Sequence, residues 1–103
     1  MDKREVVEKV KRYANLIRNY FPVEMVILFG SYSRGNAREY SDIDVAVVVD
    51  RSEHECLESE VQLYKLRRQI DVRIEPVLID RSGKDPAGFF SEILNSGEII
   101  YQN

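Results

Sequence analysis

Gly30-Ser31-Tyr32-Ser33-Arg34-Gly35-Asn36-Ala37-Arg38-Glu39-Tyr40-Ser41-Asp42-Ile43-Asp44 is the stretch that decides how this chain is read. Before it stands 24–29, Glu-Met-Val-Ile-Leu-Phe, an apolar run too short for a helix that predicts a buried strand. After it, 42–49 turns β-branched and apolar and predicts a second, central strand. Between them, 31–41 is rich in Ser, Gly, Asn and Arg and reads as a turn or short helical segment.

Two parts of the stretch carry chemistry. Gly30-Ser31 falls where a strand ends and a helical turn begins. Glycine allows close backbone approach, and N–H groups at a helix start face an anion. Ser31 adds a hydroxyl, so the pair can seat a triphosphate; the plain alternative is a strand-to-helix turn with an N-cap serine. Asp42 and Asp44 are two apart on a strand, so their carboxylates point to one face. Like charges that close repel unless a cation lies between them. A hard divalent ion such as Mg²⁺, which takes one or two carboxylates plus substrate phosphates, resolves the conflict. The plain alternative is a solvated strand start. Ile43 argues against it, since its side chain faces the other way and continues an apolar face with Val45, Val47 and Val49. Arg34 and Arg38 flank the turn, either to grip phosphate oxygens or as solvated turn arginines.

The rest of the chain supplies a scaffold. Val6, Val10, Tyr13, Ile17 and Tyr20, at gaps of 4, 3, 4 and 3, predict a helix over roughly 2–20 that Pro22 stops. A second helix is predicted over 56–69, with Leu57, Val61, Tyr64 and either Leu63 or Leu66 inward. A third strand is predicted over 71–79; Pro76 inside it lacks a donor and places it at a sheet edge or bulge. Residues 86–95 suit a third helix, with Asp85 and Pro86 at its start and Gly97 as its cap. A last short strand follows at 98–101. The fold class is a mixed α/β domain, one unit over residues 1–103.

Bulk properties narrow the function. The 103 residues are 44% hydrophobic and 32% charged, which is ordinary for a globular chain. The net charge of −3 counts against general nucleic-acid binding, which a basic surplus drives. The lone Cys56 forms no intramolecular disulfide. With no apolar segment behind Met1-Asp2-Lys3-Arg4-Glu5 and no run of membrane-spanning length, a cytoplasmic location is expected. His54 and Cys56 lack the further partners a zinc site needs and read as incidental. Arg51-Ser52-Glu53-His54-Glu55 reads as a solvated loop. Lys65, Arg67 and Arg68 read as a solvated helix face ahead of a small basic patch.

Gly-Ser, ten residues, then Asp-x-Asp at the start of a β-branched strand resembles the polymerase-β-like nucleotidyltransferase superfamily, and its minimal nucleotidyltransferases above all. Ser33-Arg34-Gly35, Ser41, the Ile-Glu-Pro-Val strand and the closing Phe90…Ile93…Gly97…Ile100-Tyr101 segment share the likeness, which covers essentially the whole chain. The resemblance implies nucleotidyl transfer with two Mg²⁺ (or Mn²⁺) ions, most simply of AMP from ATP, with pyrophosphate leaving. It implies that Gly30 and Ser31, with Arg34, hold the nucleotide and that Asp42 and Asp44 hold the metals. A third carboxylate from a neighbouring strand completes the catalytic set. By parity Asp71 and Glu75 share a face of the third strand, with Arg73 between them. Glu75 is favoured because it lies further into the strand, and Asp71 is the alternative.

Larger relatives add a domain that recognises the acceptor, and none is expected within these 103 residues. The resemblance therefore points to an open cleft completed by a partner, typically a small helical protein of the HEPN type, in toxin–antitoxin pairs where the nucleotidyltransferase adds AMP to its partner. Three functions stand side by side: transfer to a partner protein, transfer to a small molecule, and a non-catalytic antitoxin that binds by contact. Edge strands near Pro76 or Ile99-Ile100 also permit a homo-oligomer. Glu75→Gln and Asp71→Asn, assayed in parallel, separate the third-carboxylate candidates: near-abolition is expected in the first alone, and equal residual activity would remove the assignment.

Overall fold

In the computed structural model, residues 2–38, 41–50, 56–85 and 87–103 are described, the side chains of 56–58 excepted. The loop predicted from Arg51, His54, Tyr40 and Pro86 lie outside the described residues, as does the Cys56 side chain. Four helices and four strands follow in the order α1 (Lys3–Ile17), β1 (Met25–Phe29), α2 (Ser31–Arg34), β2 (Ile43–Val49), α3 (Cys56–Leu66), β3 (Ile74–Asp80), α4 (Phe89–Ser96) and β4 (Glu98–Gln102).

Helix α1 starts where Asp2 accepts a hydrogen bond from the Glu5 N–H at 2.9 Å. Its buried stripe is Val6, Val10, Tyr13, Ala14 and Ile17, the predicted face less its last member. The helix ends at Ile17, so Tyr20 falls in the following turn and stays 52% exposed. Phe21 packs against the core in its place.

The sheet runs β3-β2-β1-β4. β2 pairs antiparallel with β1 and parallel with β3, and β1 pairs antiparallel with β4. The parallel pair is joined through α3, as a same-direction crossover requires. Pro76 does lie on an edge strand, where its missing N–H breaks no ladder. Alternation divides β2 between two cores. Ile43, Val45, Val47 and Val49 join Val26, Leu28 and Ile74 beneath α1 and α3. Ala46 and Val48 join Ile27, Ile79 and Ile93 beneath α4. Each fully buried valine or isoleucine contributes about 1.5–3 kcal/mol, so this strand anchors both layers.

Three further boundaries and one face differ from the sequence reading. In α3, Leu63 and Leu66 both point inward, whereas Val61 and Tyr64 are 50% and 46% exposed. The helix carries two apolar stripes. The one with Ser59, Leu63 and Leu66 faces the core, where the buried Tyr13 hydroxyl donates to the Leu63 carbonyl at 2.8 Å. The helix tightens into a 3₁₀ turn over Arg67–Gln69. Helix α4 begins at Phe89, three residues late, because the Asp85 carboxylate caps it from a distance by accepting from the Phe90 and Ser91 N–H groups, each at 3.0 Å. Gly97 closes it with its N–H on the Ile93 carbonyl at 2.7 Å. Its backbone is extended, and glycine is needed for space: a Cβ would stand 2.7 Å from Ile27 Cγ2.

The third boundary concerns Asp71. β3 starts at Ile74, so Asp71 precedes the strand and the parity argument does not apply to it. Its carboxylate accepts from the Arg73 N–H at 2.9 Å, from Arg73 Nη2 at 2.9 Å and from Lys9 Nζ at 2.7 Å. These bonds fold residues 71–73 into a turn and tie it to α1. The Arg73 hydrogen bonds, helped by Lys9 and opposed by burial, hold the Asp71 carboxyl far below the usual carboxylate range. A carboxyl depressed in the folded state stabilises above its unfolded value, near pH 4, and loses that contribution as pH falls toward the folded value. Asp71→Asn should therefore cost about 2 kcal/mol at pH 7. In urea unfolding at pH 7 and pH 3, the gap between variant and wild type should narrow at the lower pH; a constant gap would contradict the assignment.

Candidate active site

Where β1 ends, the chain turns sharply at Gly30, with φ 75° and ψ −149°. That region of backbone space is open to glycine almost alone. The turn launches α2, a single helical turn from Ser31 to Arg34, which Gly35 ends in the left-handed conformation. Tyr32 is buried, and its hydroxyl reaches the Arg38 carbonyl at 3.5 Å. Ser33 donates to the Ser96 carbonyl at 2.9 Å, pinning α2 to the end of α4. The Arg38 N–H donates to Ser41 Oγ at 2.8 Å, and the Ser41 N–H donates back to the Arg38 carbonyl at 3.0 Å. This pair holds the chain as it returns to β2.

The antiparallel register places Phe29 opposite Asp44, so the Asp44 carboxylate lies against Gly30. A Cβ on Gly30 would stand 2.2 Å from Asp44 Oδ2. The parallel register places Glu75 beside Asp44 on the same face of the next strand. Asp42 immediately precedes β2 with the same parity. Burial pushes the Asp44 carboxyl up, Asp42 and Glu75 push it further, and Arg34 pulls the other way. Three acids and Arg34 therefore share one electrostatic neighbourhood on the sheet face that α4 only partly covers.

Glu75 also has a partner that sequence reading missed. Arg67, in the 3₁₀ turn after α3, donates from Nη1 to Glu75 Oε1 at 3.3 Å and to the Ile74 carbonyl at 2.9 Å. Among the described residues, no three His, Cys, Asp or Glu side chains are gathered into a set that could hold a metal ion. Asp42 and Asp44 stand together while Glu75 is turned to Arg67. Asp71, the alternative third acid, is committed to Lys9 and Arg73. The donor chemistry nonetheless suits a hard divalent cation: all oxygen, mutually repelling, with one carboxylate seated in a cradle that only glycine leaves open.

The chain is similar to known proteins in sequence and fold. The family model described as "Polymerase beta, Nucleotidyltransferase" matches residues 8–103. A Methanocaldococcus jannaschii protein, "Putative protein adenylyltransferase MJ0141", is 30% identical over 99 residues, covering 90% of this chain and 96% of its own. A crystal structure of "a putative nucleotidyltransferase from Sulfolobus solfataricus" superposes with a TM-score of 0.70 at 19% identity, over 98% of this chain and 84% of that one, and so shares the fold. A crystal structure described as a toxin-antitoxin with AMP-PNP superposes with a TM-score of 0.64 at 25% identity, over 90% of this chain and 73% of that one. Among the described residues, no helix is long and apolar enough to cross a membrane.

The Gly30–Asp44 contact is directly testable. Gly30→Ala should destabilise by about 2–3 kcal/mol, from backbone strain and from displacement of Asp44. Adding Asp44→Ala should recover the contact part alone, leaving about 1–2 kcal/mol for the backbone. Strict additivity in a urea double-mutant cycle would show that the two residues do not meet.

Proposed function

Because this chain belongs to the polymerase β nucleotidyltransferase family, in its minimal branch, we propose that it transfers AMP from ATP to a hydroxyl on a partner protein. The observation that carries the reading is the placement of Asp42, Asp44 and Glu75 on one open sheet face, beside a turn that glycine alone can make. The relative's name supports adenylyl transfer to protein. The toxin-antitoxin neighbour with AMP-PNP supports an adenine nucleotide and a partner chain. A small helical partner of the HEPN type, with this chain as antitoxin, is the form of pairing proposed.

In this reaction the acceptor oxygen forms a bond to the α-phosphorus. The bond from that phosphorus to the α,β-bridging oxygen breaks, pyrophosphate leaves, and the hydroxyl proton passes to a carboxylate. Gly30 and Ser31 offer backbone and hydroxyl donors to the terminal phosphates, and Arg34 adds a guanidinium on the same side. Asp42 and Asp44 would hold Mg²⁺ or Mn²⁺, with Glu75 as third ligand. Two such ions, when bound, supply charge stabilisation for the attacking and leaving oxygens. Glu75, partly exposed on the edge strand, would orient the acceptor hydroxyl and take its proton.

The test is label transfer from an α-³²P nucleotide panel with Mg²⁺ or Mn²⁺, in lysate of the source organism, comparing wild type with Asp44→Asn. A labelled protein formed from ATP by wild type alone is expected. Metal-dependent nucleotide binding without any label would replace catalysis by a contact antitoxin, and label on a small molecule would replace the acceptor class.

A further inference from the structure

Arg67 occupies a position the reaction scheme above leaves unused. Its backbone is fixed in the 3₁₀ turn, its carbonyl accepting from the Ile70 and Asp71 N–H groups at 3.0 and 2.8 Å. Its guanidinium lies 5.0 Å from the centre of the Tyr64 ring. Nη1 serves both the Ile74 carbonyl and Glu75, while Nε is buried with no acceptor. The ring, the Ile74 carbonyl and the rigid turn hold the guanidinium, and Glu75 is a minor part of that hold. The Glu75 bond is long, at 3.3 Å, and its carboxylate is 41% exposed. Such a bond exchanges readily for a stronger one.

We propose that Arg67 is a positioning residue that keeps Glu75 turned away from Asp42 and Asp44, so that the three-carboxylate set assembles only when a divalent cation draws Glu75 across. The proposal rests on the metal-dependent reading above. It accounts for two observations together: Glu75 lies in register with Asp44, yet the three acids are not gathered into one ligand set. Without Arg67, Glu75 would join two like charges with no compensation. With it, the cation must displace an ion pair and settle near a fixed positive charge, so loading is weakened and made to depend on Glu75.

The experiment is calorimetric titration of the full chain with Mn²⁺ alone, with folding checked by circular dichroism. Arg67→Met should tighten Mn²⁺ binding roughly tenfold, about the effect of removing one nearby charge and freeing a ligand. In a Glu75→Gln background the gain should shrink to about threefold or less, the part due to charge alone. Tyr64→Ala, at a half-exposed position, should loosen the guanidinium and tighten Mn²⁺ in the same direction, which keeps the proposal testable if Arg67→Met does not fold. Unchanged or weaker binding in Arg67→Met, or an equal gain with and without Glu75, would overturn the role of Arg67 while leaving the metal reading intact. Wild-type binding indifferent to Asp44→Asn would overturn the metal reading and this proposal together.

Discussion

The antiparallel pairing of β1 with β2 sets Phe29 against Asp44, and that register leaves the next residue, Gly30, directly beneath a carboxylate. A slip of one residue would turn Asp44 into the core under α1 and α3 and send Val45 toward solvent. The register is held by packing on both faces of β2, where every residue from Val45 to Val49 is buried. Charge at the strand's start is thus positioned by apolar burial further along it. The same strand passes the arrangement on to β3, whose parallel register brings Glu75 alongside.

Electrostatics at this edge is a contest among a few groups. Burial, then Asp42 and Glu75, raise the cost of ionising Asp44; Arg34 relieves it, and Arg67 engages Glu75. Asp71, only a few residues from Glu75, takes no part because Lys9 and Arg73 neutralise it on the α1 side. Two acids of similar sequence surroundings therefore serve different ends: one braces the fold, the other lies in register with Asp44.

Much of this was legible in the residues. The alternation of Asp42, Ile43, Asp44 and Val45 announced a strand with one polar and one apolar face, because strand geometry is local. Pro76 announced an edge strand or a bulge, because a residue without a donor cannot serve a central ladder, and the edge is where β3 lies. The misreadings have a common physical origin in side chains that bond backbone at a distance. Asp71 builds a turn where β-branched neighbours suggested strand, and Asp85 starts α4 later than Pro86 suggested. The inward face of α3 could not be chosen from its sequence, since Val61 and Tyr64 compete with Leu63 and Leu66 until Tyr13 of α1 meets them. Arg67 read as part of a solvated helix face and is instead mostly buried and paired with Glu75, because that tie exists only after the chain has turned back from α3 into β3.

The place of β4 in the sheet has a consequence for the order in which the molecule is made. β1 is an interior strand: β2, one of its neighbours, follows closely in the chain, whereas the other, β4, is the last element. The β1–β2 ribbon, with Gly30 against Asp44, can pair while the chain is still emerging from the ribosome. The opposite edge of β1 must wait for Glu98–Gln102. Until β4 is made, Val26 and Leu28 stand on a strand with an unpaired edge, and such a ribbon is open to mispairing with neighbouring chains. Arrival of β4 closes that edge and lets Arg18, at the end of α1, lie over the Tyr101 ring at 4.2 Å. The most distant pairing in the sequence is thereby the one that makes β1 an interior strand.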